Sequence, residues 1–426
     1  MRLIKDLSHY YSQRGIKTTF SALLALISLF VMFFFPESGL AQQGFKWKRM
    51  EIHPALSFQM NYNSNIFLNA DKVFVDGTSE VAQEDFIFTT SPSLTIEQKR
   101  QKGDNFGFFF QYLGQDERYV ELKDQDFYTQ DVSAHLELGD LGGGITWTFG
   151  GRYLDSRDPI STEFGSIFNP RQDRTTYDLH SKLLWKLTHD IEADIEAKVR
   201  RNLFDNFDLE EFDQYNGSST LFWKSTALTG IGVNYSFQYI DYLEASTFNF
   251  DNARHSGSFI LRWKPLSVFS SEFWIGMNHV KVIDVAGQDR DDVIYKLQLD
   301  YQPNTTSKWR LTSFREIPNS FLRDIQSFQS TATQLTWSQK LGVKWKGLST
   351  ISFEDRKYDI PIQDIPGGGA LKLREDQYFF CSLSLTYSIQ DWLSASMEYS
   401  YTNNDSNFDE ADYSRNLVFL RLSFTL

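Results

Sequence analysis

The fold is decided by the stretch Leu183-Leu184-Trp185-Lys186-Leu187-Thr188-His189-Asp190-Ile191-Glu192-Ala193-Asp194-Ile195-Glu196-Ala197-Lys198-Val199-Arg200. In its second half every other residue is apolar, and every residue between them is charged. A period of two gives a β-strand one apolar face and one wet face, whereas a helix would place both classes on every side. The stretch therefore predicts a strand that follows a short polar turn.

The same alternation recurs along the chain, which predicts long strands throughout. Soluble strands average about five or six residues, whereas a tilted strand that crosses a membrane needs about nine to eleven. The length of the alternating segments therefore favours a membrane protein. The clearest segments are Asp104–Tyr112, Asp131–Leu138, Ile231–Tyr239, Val293–Tyr301, Phe379–Tyr387, Leu393–Tyr401 and the carboxyl-terminal Arg415–Leu426.

The composition agrees with this interpretation. The chain has 426 residues, of which 16% are aromatic, and its mean hydropathy is −0.39. A low mean hydropathy excludes a bundle of membrane helices but suits a transmembrane β-barrel, in which only every second residue meets lipid. A large soluble all-β protein is the alternative. The net charge of −13 argues against nucleic acid as a partner.

The amino terminus has the features of a secretory signal peptide. Lys5, Arg14 and Lys17 precede the apolar run from Phe20 to Phe35, and small residues at Gly39 and Ala41 form a cleavage site. We therefore expect residues 1–41 to be removed after secretion through the inner membrane and residues 42–426 to form the barrel. An uncleaved anchor helix is the alternative.

The connections between the alternating segments are short and long in turn. Eight short turns and nine long loops predict an antiparallel up-and-down barrel of about eighteen strands in the bacterial outer membrane. Both termini would then lie at the periplasmic end. The expected short turns are Lys99–Gly103, Gly139–Gly143, Thr188–His189, Ser225–Thr226, Pro265–Ser267, Pro303–Thr306, Lys346–Gly347 and Ile389–Gln390.

An aromatic residue precedes most of these short turns. Such residues at one height predict an aromatic girdle at the membrane interface, formed by Trp185, Trp223, Trp263, Tyr301, Trp345 and Tyr387. A lysine follows four of them, which predicts a periplasmic basic collar of Lys186, Lys224, Lys264 and Lys346. These lysines either extend to phospholipid headgroups or attract an anionic polysaccharide.

If the apolar set of each strand meets lipid, the charged set faces the lumen. Mixed charges on that face predict a hydrated pore rather than an apolar conduit. The expected pore-lining residues are Lys182, Glu192, Asp194, Glu196, Lys198, Arg200, Arg262, Lys296, Asp300, Glu398 and Arg421.

The first two expected strands carry a resemblance to a known family. His53-Pro54-Ala55-Leu56-Ser57 leads into Asn61-Tyr62-Asn63-Ser64-Asn65-Ile66-Phe67-Leu68, and Asp85-Phe86-Ile87-Phe88-Thr89-Thr90-Ser91-Pro92-Ser93-Leu94 follows. These segments resemble the β-barrel porin type 2 family, although Ser64 stands where that family often has aspartate. The resemblance implies a link to exopolysaccharide or capsule export.

The sequence does not point to an enzyme. Carboxylate pairs such as Glu192 and Asp194 could perform acid–base chemistry, but on a barrel wall they are more typical of a wet pore lining. The single cysteine, Cys381, excludes a disulfide or a cysteine-based metal site, and no cofactor is expected.

We therefore predict a porin-like channel, either a passive conduit for polar solutes or an export route for polysaccharide. Its expected partners are outer-membrane lipid, anionic polysaccharide and periplasmic export machinery. The alternative is a plugged, receptor-like barrel that binds a partner through its extracellular loops.

Overall fold

A computed structural model of the chain describes residues 45–425, apart from residues 48, 69–82, 102–103, 140–143, 158–172, 205–210, 244–249, 284–288, 319–326, 359–360 and 364–370. The predicted signal peptide, residues 1–41, lies outside the described residues. No helix in the described part of the chain is long and apolar enough to cross a membrane.

Eighteen long antiparallel strands dominate the described chain. They have between 10 and 16 residues each. They are β2 (Met50–Asn63), β3 (Asp85–Gln98), β4 (Phe106–Tyr119), β5 (Phe127–Leu138), β6 (Ile145–Ser156), β7 (Arg174–Lys186), β8 (Ile191–Phe204), β9 (Phe212–Trp223), β10 (Thr229–Tyr242), β11 (Asn252–Leu266), β12 (Phe269–Val282), β13 (Arg290–Tyr301), β14 (Ser307–Glu316), β15 (Gln329–Leu341), β16 (Trp345–Lys357), β19 (Glu375–Gln390), β20 (Leu393–Ser406) and β21 (Tyr413–Thr425).

Three short strands lie outside this set. Strand β1 (Phe45–Trp47) folds back onto the first residues of β2. Strands β17 (Ile362–Gln363) and β18 (Leu371–Lys372) form a separate two-stranded hairpin between β16 and β19. In the described part of the chain, two single-turn 3₁₀ helices, Lys123–Gln125 and Asp409–Ala411, lie in long loops.

The sheet closes into a barrel because its first and last long strands pair with each other. Strand β2 pairs with β3 on one side and with β21 on the other, from Ala55 opposite Thr425 to Asn63 opposite Leu417. Each remaining strand pairs with its two sequence neighbours in the set of eighteen. Closure leaves no strand edge unpaired, which is the condition for a sheet to cross lipid. The predicted eighteen-stranded antiparallel barrel is confirmed.

The connections alternate as expected, but three of the expected turns are shifted. Eight short turns lie at the end of the barrel where β2 begins and β21 ends, and nine longer loops lie at the other end. The turn expected at Ile389–Gln390 lies inside β19, which ends at Gln390, and the turn expected at Pro265–Ser267 overlaps the end of β11 at Leu266. The turn expected at Lys346–Gly347 is wrong, since β15 ends at Leu341 and β16 begins at Trp345. Gly342 makes this turn with a positive φ of 72°, which glycine adopts without steric cost.

The two faces of the barrel wall differ as the alternation predicts. On β8, Ile195 and Val199 are apolar yet 47% and 42% exposed. The residues between them, Glu196 and Lys198, line a cavity together with residues of β9 to β14. A cavity shared by so many successive strands lies on the concave side, so the charged set faces inward and the apolar set faces outward.

Aromatic side chains bound the apolar outer face at two heights. Trp185 and Trp223 lie near the short turns, and Tyr177 and Tyr215 lie eight residues farther along the same strands. At a rise of about 3.4 Å per residue this separation is about 27 Å along a strand. Allowing for strand tilt and for the rings themselves, it matches the apolar band of about 25 Å in membrane barrels.

The largest buried side chains described lie at the long-loop end rather than in a central core. Tyr358 and Tyr413 are each 1% exposed. Beside them, Arg374 donates to both carboxylate oxygens of Asp376, at 2.8 and 2.6 Å. Ser406 Oγ donates to Asp376 Oδ1 at 2.6 Å. The loops at this end are therefore anchored to the inside of the barrel.

Placing an arginine at Ala197 tests whether the outer face meets lipid. Ala197 pairs with Ser181 and Gly217, halfway between the two aromatic levels. A cation at mid-bilayer costs about 2–4 kcal/mol, so Ala197→Arg should lower the free energy of unfolding in lipid vesicles by that amount. The adjacent inward substitution Glu196→Gln is the control and should change it by less than about 0.5 kcal/mol. Equal, negligible effects would contradict the membrane assignment.

Candidate functional site

The strand register places the eleven expected pore-lining residues on the inner face. Lys182 lies opposite Glu196, and Arg262 lies opposite Glu272. The same parity, followed from strand to strand around the barrel, places the whole set on the side that faces the cavities. The residues are Lys182, Glu192, Asp194, Glu196, Lys198, Arg200, Arg262, Lys296, Asp300, Glu398 and Arg421.

Most of these charges have a partner of opposite sign on an adjacent strand. Lys182 Nζ lies 2.8 Å from Asp194, and Lys224 Nζ lies 2.6 Å from Glu192. Arg262 pairs with Glu272 at 2.6 Å. Farther round the wall, Arg310 donates to Asp300 at 2.8 Å and Arg421 donates to Gln59 Oε1 at 2.6 Å. The charged strip is therefore largely neutralised across the strands.

Asp178 organises the upper part of the β7–β8 wall. Its carboxylate accepts hydrogen bonds from Arg200 Nε and Nη2 at 2.7 and 3.1 Å, and Lys198 Nζ lies 3.5 Å away. The Asp178 side chain is only 6% exposed, while the two cations are about one-third exposed. A nearly buried carboxylate thus holds the two basic side chains against the wall.

Four of the expected residues form no ion pair. Glu196, Lys296, Glu398 and Arg421 take part in none of the ion pairs formed among the described residues, and Arg421 donates only to the neutral amide of Gln59. Glu196 and Lys296 each line a cavity. The electric field inside the barrel therefore depends on these residues more than on the paired strip around them.

One cavity follows the wall from β8 to β14. Its volume is about 550 Å³. One side is formed by Glu316, the last residue of β14, and by Ile317 and Pro318 directly after it, which turn into the barrel. Ile317 is 1% exposed, and the carbonyl of Pro318 accepts from the Phe328 backbone N–H, which joins the two ends of this loop. The long-loop end of β14 therefore contributes to the interior.

A second cavity of about 360 Å³ adjoins the first, and the two share Ile294 and Glu316. Trp274 lies opposite Lys296, and Lys296 lies opposite Phe314. All three line this cavity. The inward aromatics Trp274 and Phe314 were not expected from the sequence. The alternation along β12 could have predicted the inward position of Trp274, because Phe273, Ile275 and Met277 occupy the outward positions around it.

Two of the four collar lysines, Lys186 and Lys346, have the inward parity at the short-turn end, whereas Lys224 follows the end of β9 and Lys264 lies in a register irregularity of β11. Lys186 lies opposite Glu192, and Lys346 lies opposite Thr386. Lys224 is paired with Glu192. The six girdle aromatics have the outward parity, and Trp345 packs against Tyr387 with ring centroids 4.5 Å apart. Trp345 is the first residue of β16 and therefore follows its turn, although it was expected to precede a turn.

Further outward-facing aromatic residues lie near the short turns but were not among the six expected from the sequence. Trp309 and Trp337 stack on adjacent strands with centroids 5.2 Å apart, and Trp147 is 48% exposed on β6. Trp147 and Trp309 follow short turns, so a search limited to residues before turns could not detect them. Position relative to the turn on both strands of each hairpin is the signal that would have found them.

One group of metal-ligating chemistry lies at the periplasmic mouth. Ligand atoms of Glu51, His53 and Glu97 lie within 4.8 Å of one another. Lys99 Nζ lies 2.8 Å from Glu97 and 3.7 Å from Glu51. The hydrogen bond to Glu97 raises the pKa of Lys99 above its usual value. An ammonium group thus already compensates the two carboxylates.

Removing the charge of Asp178 tests how the paired wall is held. Asp178→Asn leaves Arg200 and Lys198 without their shared carboxylate, so the free energy of unfolding should fall by about 1–3 kcal/mol. Asp190→Asn is the matched control, because Asp190 pairs with the almost fully exposed His189 and exposed pairs contribute about 0–1 kcal/mol. Urea unfolding from vesicles measures both. Equal losses would show that burial of the Asp178 pair contributes nothing.

Comparisons with known proteins bear on the fold. No protein-family model matches the sequence, and no curated protein matches it. The FrpB iron transporter from Neisseria meningitidis (F3-3 variant) superposes with a TM-score of 0.50 at 10% identity, over 87% of this chain and 64% of that chain. OccK2 (OpdF) from Pseudomonas aeruginosa gives 0.49 at 10% identity, over 90% of this chain and 99% of that chain.

The outer membrane protein OpdK from Pseudomonas aeruginosa gives a TM-score of 0.45 at 8% identity, over 88% of this chain and 98% of that chain. This chain thus spans less than two thirds of the FrpB transporter. At such identities the likeness concerns the fold alone. The chain has the closed antiparallel barrel architecture, and its chemistry has to be argued from its own inner wall.

Proposed function

We propose that the protein is a porin-like channel of the bacterial outer membrane that conducts small polar solutes passively. The observation that carries the proposal is the contrast between the two faces of one closed wall. The outer face is apolar between two aromatic levels, whereas the inner face bears ion pairs, amides and hydroxyls around cavities of about 550 and 360 Å³.

The chemistry of the inner face favours a hydrated path. Charged side chains such as Lys182 and Asp194 are 44% and 29% exposed although they are paired, so water reaches them from the lumen. Ions and polar solutes can exchange hydration for these groups at little cost, whereas an apolar solute would gain nothing from them. Paired charges also offer no single strong binding site. A passive conduit must bind its solutes weakly enough for them to leave.

Planar-bilayer conductance of the refolded full chain tests this function. An open channel should give stable unitary steps, and Glu196→Gln should shift the reversal potential in a salt gradient toward anions because it removes an uncompensated negative charge from the lumen. The control is the double variant Lys182→Gln with Asp194→Asn, which removes a neutral pair and should leave the reversal potential nearly unchanged.

A refolded barrel that gives no conductance steps would contradict the channel. That outcome would favour the plugged, receptor-like barrel, in which the inward segment Glu316–Pro318 and the anchored loops close the lumen. Heat-dependent migration in electrophoresis establishes that the barrel has refolded before either conclusion is drawn.

Polysaccharide export is the second candidate function. The observation in its favour is that the collar lysines cluster at the short-turn end, where Lys186 and Lys346 have the inward parity. Lys186, Lys264 and Lys346 form no ion pair with any described residue, so they offer positive charge to a polymer arriving from the periplasm. Periplasmic export machinery would be the partner that delivers this polymer.

Replacing Lys186, Lys224, Lys264 and Lys346 together with glutamine tests the collar. If the collar recruits an anionic glycan, block of the channel current by oligogalacturonate added on the periplasmic side should weaken by about tenfold, because each lost charge contributes electrostatic attraction. A fourfold lysine-to-arginine variant keeps the charge and should retain the block. Identical block in all three proteins would contradict export through this collar.

A further inference from the structure

The geometry points to a binding subsite for neutral polyhydroxylated solutes, of the size of a short oligosaccharide, on the β9–β12 wall of the cavity that extends from β8 to β14. This inference rests on the proposed channel function and names the solute class for which the lumen is built. The cavity volume of about 550 Å³ lies within the range of about 300–1,000 Å³ that is usual for small-ligand pockets.

A continuous row of uncharged polar side chains supplies the subsite. Register neighbours on four adjacent strands bring them together, since Asn216 lies opposite Gln238 and Ser256 lies opposite Asn278. Amides and hydroxyls can both donate and accept, as sugar hydroxyls also do. The row consists of Asn216, Ser218, Ser236, Gln238, Ser256 and Asn278.

The hydrogen bonds within the row leave capacity for a ligand. Asn216 Oδ1 accepts from Gln214 Nε2 at 2.9 Å and from Gln238 Nε2 at 3.0 Å. Asn278 Oδ1 accepts from Ser256 Oγ at 2.7 Å. The amide nitrogens of Asn216 and Asn278 donate to no described group, and Gln238 Oε1 is buried with no hydrogen-bond partner among the described residues.

Gln238 is the residue whose hydrogen bonding most clearly favours a ligand. A buried acceptor without a partner is unfavourable, and native structures rarely leave one unsatisfied. Turning the Gln238 amide toward the cavity would let Oε1 accept from a ligand hydroxyl. Ligand binding would therefore remove the unfavourable free energy of this unpartnered acceptor.

The adjoining cavity adds a flat apolar surface to this polar row. Trp274 and Phe314 flank Lys296 on the inner wall, and Trp274 Nε1 donates to Glu272 Oε1 at 2.6 Å, which fixes the indole ring. Pyranose rings have an apolar C–H face that packs against such a ring, while their hydroxyls point sideways to polar groups. One ligand can reach both surfaces because the two cavities share Ile294 and Glu316.

The charges around the subsite favour a neutral ligand. Glu196 and Glu316 line the larger cavity together with Lys198 and Arg254, so charges of both signs surround the subsite. An anion or a cation entering the cavity would meet a like charge as well as an opposite one. A neutral polyol meets hydrogen-bonding partners of both kinds without this conflict.

Calorimetric titration of the full-length barrel in a sugar-free detergent tests the inference, with maltotriose as the probe. We expect saturable binding that weakens about tenfold in the double variant Gln238→Ala with Asn278→Ala, since two hydrogen-bonding groups are lost. Trp274→Ala should weaken it by a similar factor. Gln111→Ala, an inward glutamine on β4, is the matched control and should bind as tightly as the unaltered protein.

The outcomes separate the two proposals. Conductance without maltotriose binding overturns the subsite and leaves the channel standing, whereas binding without conductance overturns the channel and leaves the subsite. Binding that all variants share equally places the sugar elsewhere and overturns the subsite. Glutamate or lysine binding at least as tightly as maltotriose overturns the neutral ligand class. Heat-dependent migration of each variant shows that it has refolded.

Discussion

Satisfaction of backbone hydrogen bonds in a medium without water is the constraint on which the structure depends. Each N–H and C=O group of a strand in lipid needs a protein partner, and a sheet meets this requirement only when its edges pair. The pairing of β2 with β21 provides that closure. Once the ring is closed, the register of each strand determines the face of every side chain, because a shift of one residue would exchange the two faces.

Cross-strand pairing then shapes the chemistry of the interior. The β8 sequence alone shows five charges in alternating positions, which suggests a strong field along one wall. In the folded barrel Asp194 and Arg200 have partners on β7, and Glu192 has a partner in the turn after β9. The same strand therefore contributes mainly a neutral, hydrated surface, with Glu196 as its uncompensated charge.

Much of the fold follows from the sequence because alternation is a local property. Strand number, the order of short and long connections and the inward parity of residues such as Lys296 can be counted directly. Turn positions cannot be counted in the same way. The turn before Trp345 depends on the positive φ of Gly342. Lys346 therefore lies after its turn, whereas Lys186 lies before its turn.

The sequence by itself determined a closed antiparallel barrel with an apolar outside and a polar inside, since period-two patterning specifies the faces of each strand independently of its neighbours. Only the tertiary structure decided which charges are neutralised, that Glu316–Pro318 turns inward, and that Asn216, Gln238 and Asn278 line one cavity. These are relations between neighbouring strands and between a strand and a loop. They depend on register and on the path of a loop, which no local pattern encodes.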